Sequence, residues 1–410
     1  MGIFDLIARP RAAITKDTIT NSKELYQAMF EGGVESSTGI PVSADSAMRY
    51  TTAMICVRVL AESVASLPCI LYRRRADGGK DRATDHPLYG VLHDQANGWQ
   101  TAFQYVEGSM VNLSTRGNGY AYIERNNRGQ TIRLTPLNPD PVIIDQAIDW
   151  SPLYSVTLPD NTRAKRLTSR EIHHISGPLP KGYVGQSMIS LARDAIGLGL
   201  AAERFGSHLY KNGVKPSGVL KHPKAIGPEA TDNLRQQFES KYGGLSNSSR
   251  PLVLEEGMEW IAMSIAPNDA QFLETRKFQR SEIAGIFRVP AHLVNDLERA
   301  TFSNIEHQTL EFVIHSLRPW LKRWEQAINR DLLAPQEQGE YFAEFLMDDL
   351  LRGDIKSRYE AYAQAVQNKW MNANEIRIRE NMNPREGGDV YENPAIQVKE
   401  AATTPAPAGT

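Results

Sequence analysis

Cysteine is scarce: 410 residues carry two, Cys56 and Cys69, too few for a disulfide framework. Cys56 falls in a predicted helix and Cys69 at a predicted strand start. Both read as buried structural thiols of a reducing cytosol, rather than a disulfide or a metal pair. No apolar run approaches the ~18–20 residues of a membrane span, and no secretory signal is present, so no membrane role is expected. Met1-Gly2 does not extend to a myristoylation signal, because Leu6 stands where Ser or Thr is required. A net charge of −2 excludes a globally basic nucleic-acid binder. Also missing are a phosphate-cradling glycine loop with its lysine, paired cysteine motifs and a zinc-helix signature. The chain therefore reads as a non-enzyme without a cofactor.

What is present has the composition of a soluble globular protein, 41% hydrophobic and 23% charged. Residues 1–44, ending in Gly32-Gly33 and Ser36-Ser37-Thr38-Gly39, read as a flexible arm. Ser43 or Asp45 caps a helix to about residue 66, with Tyr50, Met54, Val57, Ala61 and Val64 on one stripe. Helices over 87–93 and 102–114 and strands near 69–72, 120–124, 131–137, 142–145, 154–158 and 171–175 follow, an α+β block. A helix over 188–211 contains Gly197, Gly199 and Gly206. Each interior glycine costs ~1 kcal/mol against alanine, so close approach of a neighbouring helix backbone is expected there. Residues 214–266 read as a small α/β insert.

The chain is organised around residues 267–333. Asn268 and Gln271 form a capping-box pattern for a helix ending before Pro290. A loop then leads to a long helix, 303–333, which Pro319 should kink near His315. Beyond it, 354–369 and 374–380 read as helices, and 387–410 as a disordered tail.

Few residues invite chemistry. Adjacent strand residues face opposite sides, so His173 and His174 are not expected to share a metal. Gly185-Gln186-Ser187 begins like a nucleophile elbow but lacks the closing glycine, and Ser187 reads as a helix cap. Arg73-Arg74-Arg75 reads as a solvated strand end. Asp348, Asp349 and Asp354 form the one candidate acidic cluster. The alternative function is thus a metal-dependent DNA-processing enzyme using Asp348, although these positions suit helix caps and dipole partners better.

The wording of several stretches carries a resemblance: RSEIAGIFRVPAHLV, ERATFSNIE, LRPWLKRWEQAINRDLL, CVRVLAESVASLP, RGNGYAYIE, KPSGVL and RPLVLEEG. In this order they resemble the portal proteins of tailed bacteriophages, over roughly residues 45–390. The resemblance implies an α+β portal-type fold, made of an α/β wing, a two-helix stem, a small α/β clip, a long kinked helix and a helical C-terminal crown. By position, the wing is 45–187, the stem 188–213 and 267–290, the clip 214–266, the tunnel loop 291–303, the kinked wing helix 304–340 and the crown 341–386. It further implies a homo-oligomeric ring, a dodecamer of about twelve copies, at one capsid vertex of the virion. Double-stranded DNA would pass through without sequence specificity. The implied partners are the terminase large subunit, head-completion or adaptor proteins and the major capsid protein. Arg276, Lys277 and Arg280 of the stem, with Asp296, Glu298 and Arg299 of the tunnel loop, would then line the DNA channel. Their mixed signs, like the near-neutral net charge, suit a conduit that positions a duplex without trapping it.

Overall fold

The computed structural model describes residues 34–157, 163–211, 218–222, 227–229, 231–234, 236, 257–262, 269–296, 302–347, 355–380 and 382–391. The chain divides into two units, Met1–Phe345 and Leu346–Thr410.

The first unit opens on structure where a flexible arm was expected. β1 (Val34–Glu35) pairs with β2 (Pro41–Val42), and Gly39, at φ +73°, makes the reversal. The Ser37 N–H then donates to Asp194 at 2.8 Å, fastening the hairpin to a helix 157 residues away. The helix expected over 43–66 is two helices. Ser43 and Ser46 close a capping box on α1 (Ala44–Ala47). Tyr50 is extended, and α2 (Thr51–Ala65) starts after it, burying Cys56, Val57, Leu60, Ala61 and Val64.

β3 (Cys69–Arg74) is central in a three-stranded antiparallel sheet, with β4 (Lys80–Arg82) on one side. His86 caps α3 (Pro87–His93), and Thr101 caps α4 (Ala102–Arg116) in a capping box with Gln104. Helix α4 ends at Gly117, φ +83°, and leads into β5 (Asn118–Arg125) and β6 (Thr131–Leu137). β7 (Ile143–Gln146), β8 (Pro152–Thr157) and β9 (Arg163–Leu167) form a separate antiparallel sheet. β10 (Ile172–Ser176) returns to pair with β5. Ser187 caps the short α5 (Met188–Leu191), as expected, but the helix then breaks before α6 (Arg193–Lys211).

Of the insert, β11 (Gly218–Lys221) and β12 (Glu259–Ala262) are antiparallel neighbours. Strand 252–255 lies outside the described residues, as does Asn268, the expected cap of α7 (Asp269–Phe287). The long second helix is interrupted. α8 (Phe302–Glu311) passes into a π-helical turn, Phe312–Leu317, and then into α9 (Arg318–Asp331). Pro319 therefore occupies the first turn of α9, where a missing N–H is tolerated. The expected disturbance near His315 takes the form of this wider turn.

Residues 341–386, expected as the crown, open on a strand. β13 (Tyr341–Phe345) pairs along Cys69–Arg73 and is the third strand of the β3 sheet. Trp324 is fully buried beside it, its ring edge-on to Tyr105 at 6.1 Å and its indole N–H 3.1 Å from the Met110 sulfur. Both cysteines are free and buried. Burial pushes the Cys56 thiol up to about 12 and raises Cys69 as well, so both stay protonated at neutral pH.

The second unit holds α10 (Ile355–Gln367) and α11 (Ala373–Arg379). Asn372 caps α11 through a box with Glu375. Asn374 instead ties the chain beyond: it accepts from the Arg385 N–H at 2.8 Å and donates to the Arg385 carbonyl at 2.9 Å. Arg358 and Tyr362 both bond Glu380. The Tyr391 hydroxyl donates to Glu375 at 2.6 Å, so the expected disordered tail does not begin at Gly387. Residues 392–410 lie outside the described ones.

Candidate functional site

The residues expected to carry function cluster on α6, α7 and the turn after them. α6 and α7 touch, and an Arg276–Glu203 ion pair at 3.3 Å links them. Both side chains are partly solvated, so the pair contributes under about 1 kcal/mol. Arg276 is thus engaged with α6. Arg280 is half-buried and lies one turn further along α7, while Lys277 and Phe278 are exposed. Burial raises the Tyr50 phenol, and the charges of Glu203, Arg276 and Arg280 all act on it, which places Tyr50 at the junction of the two helices.

Tyr50 also accounts for one glycine. A Cβ on Gly199 would stand 2.6 Å from the Tyr50 ring, and one on Gly197 would stand 2.2 Å from the Ser36 hydroxyl. At these two positions the close neighbours are side chains of the same chain, not a helix backbone. Gly206 is buried.

After α7, Arg288 turns at φ +54° and Ala291–Val294 forms a 3-10 turn closed by Asn295 at φ +60°. Asp296 follows, half-buried; Glu298 and Arg299 lie outside the described residues. The Ser316 hydroxyl donates to the Arg288 carbonyl at 2.6 Å, and an Arg288 N–H reaches the His315 carbonyl at 3.5 Å. In α-helical register His315 would bond to the nitrogen of residue 319, which is proline and has no proton. The π turn and the arginine together absorb that loss. This clasp between the turn after α7 and the long helix was not anticipated. The four-residue spacing of His315 and Pro319 is the one sequence signal for it.

The histidine pair is structural. His173 bonds Asp331 through Nδ1 at 3.0 Å, and His174 bonds the Tyr154 hydroxyl and Asn118, each at 3.1 Å. Burial would raise Asp331, but hydrogen bonds from Arg330 and His173 outweigh it and hold the carboxyl low. Among the described residues no group of three His, Cys, Asp or Glu side chains could hold a metal, and no helix is long and apolar enough to cross a membrane. Asp348, Asp349 and Asp354 lie outside the described residues.

Residues 51–381 match the family model described as phage portal protein. The chain belongs to the phage portal protein family. It is 30% identical to a probable portal protein of Streptomyces phage phiC31 over 88% of this chain and 80% of that one. It is 31% identical to the portal protein of Enterobacteria phage HK97 over 85% of this chain and 82% of that one. Among solved structures, the fold is similar to a chain in the neck of an empty gene transfer agent particle, with a TM-score of 0.59, 24% identity and coverage of 87% and 98%. It is also similar to an HK97-family phage portal protein from Corynebacterium diphtheriae, with a TM-score of 0.57, 17% identity and coverage of 78% and 99%. As a portal protein the chain is a structural component of the capsid, and the metal-dependent reading of Asp348 has no support.

Proposed function

We propose that copies of the chain close into a ring at one capsid vertex, the conduit for DNA packaging and ejection. Family membership over residues 51–381 carries this reading. A similar fold occurs in a gene transfer agent neck computed with C12 symmetry, which favours a dodecamer. The α6–α7 pair would be the stem. Leu198 and Phe278, 44% and 70% exposed on these helices, are the kind of surface that neighbouring copies would cover. The insert 214–266, which holds β11 and β12, would be the clip that meets the terminase and later the adaptor proteins, and the wing would contact the major capsid protein. Lys277, Arg280, Asp296, Glu298 and Arg299 would face the duplex, with Arg276 shared between DNA and Glu203.

Native mass spectrometry and negative-stain imaging of the purified chain near micromolar concentration test the reading. The expected result is a closed ring with an axial hole. A monomer that cuts DNA with a divalent metal would overturn it.

A further inference from the structure

Two surfaces of the first unit are unlike each other and complementary. One is convex. The turn joining β7 to β8 carries Ile148, fully exposed, and Trp150, 76% exposed. Trp150 sits at φ +66°, a backbone region that bulky side chains avoid. The Tyr183 hydroxyl donates to the Trp150 carbonyl and accepts from the Gln146 amide at 2.9 Å, so the tip is held in place. Asp149 lies between the two apolar residues and accepts from the Ser151 hydroxyl at 2.6 Å and the Ser151 N–H at 3.1 Å. These bonds keep the Asp149 carboxyl below its ordinary range.

The other surface is concave. A groove of about 390 Å³ lies among α5, the end of α7 and the start of α9. Leu60, Met188, Leu191, Phe287 and Trp320 give it an apolar lining. Arg288 and Arg323 also line it. Arg323 reaches the Gly177 carbonyl at 3.3 Å and Arg288 the His315 carbonyl, and neither has a carboxylate partner among the described residues.

We infer that the β7–β8 tip of one copy docks in this groove of the next, with Trp150 in the apolar lining and Asp149 against Arg288 and Arg323. The inference rests on the ring reading. Ring contacts are heterologous, so one chain must carry two unlike patches that fit each other. A tryptophan buries roughly 150–250 Å² and, with arginine, is the residue type that dominates such contacts. An acid flanked by apolar side chains matches an apolar groove walled by two arginines in both shape and charge.

The test uses the full chain carrying Trp150→Cys and Leu191→Cys. Leu191 lines the groove and is 46% exposed, and the native thiols are buried, so background cross-linking is low. Mild oxidation of assembled rings should give a ladder of covalent multimers on a denaturing gel, absent from either single substitution. Rings seen by microscopy without a ladder would overturn the docking while leaving the ring reading intact. Absence of rings from the unsubstituted chain would overturn both. As a second arm, Asp149→Arg should raise the concentration needed for assembly at least tenfold, and adding Arg323→Glu should reverse most of that. If both variants melt like the parent and the second change restores nothing, the docking fails.

Discussion

Asp331 keeps its charge in the interior because three groups meet it: Arg330, the His173 ring and the His174 N–H. Beside it, burial first and then the Arg330 charge lower His174 to about 3, so this imidazole is neutral in the fold. The unfolded chain takes up a proton there below about pH 6.5, and the folded chain does not. Stability from His174 is therefore full above that value and is lost as pH falls toward 3. Asp331, held low, adds a loss at still more acid pH. We expect roughly 2 kcal/mol of stability to disappear between pH 7 and pH 5, and His174→Gln to flatten that dependence, as read from denaturant midpoints. A second prediction concerns Gly117. A Cβ there would meet the Gly185 carbonyl at 2.6 Å, and the Gly177 N–H bonds the Gly117 carbonyl at 2.8 Å. Gly117→Ala combines that collision with a left-handed backbone and should cost more than about 1 kcal/mol, lowering the melting temperature by several degrees. Caps such as Ser187 and Thr101 were legible in the sequence because capping is local chemistry. The Asp331 cluster was not, because it joins residues 158 positions apart.

Among elements, the segment from Phe302 to Asp331 best separates what periodicity can and cannot show. Its apolar period marks one long helix, and its proline marks a fault. The form of that fault, a π turn clasped by Arg288, depends on a partner 28 residues away. Ser316→Ala removes the clasp from a buried site and should cost about 1 kcal/mol, with faster amide hydrogen exchange confined to residues 286–294 and 312–318. The β1–β2 hairpin was misread as an arm because two-residue strands carry almost no pattern. The bond from Ser37 to Asp194, the seat of Ser36 over Gly197 and the burial of Ile40 and Val42 give the hairpin its place. The partner of β13 was not legible either, since its pairing with β3 spans most of the chain.

At the scale of the molecule, family wording in the sequence conveyed more than composition did, and the proposed channel rests on it. Arg299→Glu is expected to reduce DNA packaged or retained per head while purified rings still form; loss of the rings would show that the residue belongs to an assembly contact instead. The insert has a consequence of its own. Its strands leave and re-enter side by side, with Lys221 opposite Glu259 at the outer end of the ladder. The chain thus crosses a gap no wider than one hairpin, whatever lies between. Residues 222–258 therefore start and finish at neighbouring positions of one ladder. On the clip reading proposed above, exchanging this stretch for the corresponding piece of another phage would leave the two strand ends in place and would fit the same head to a different motor.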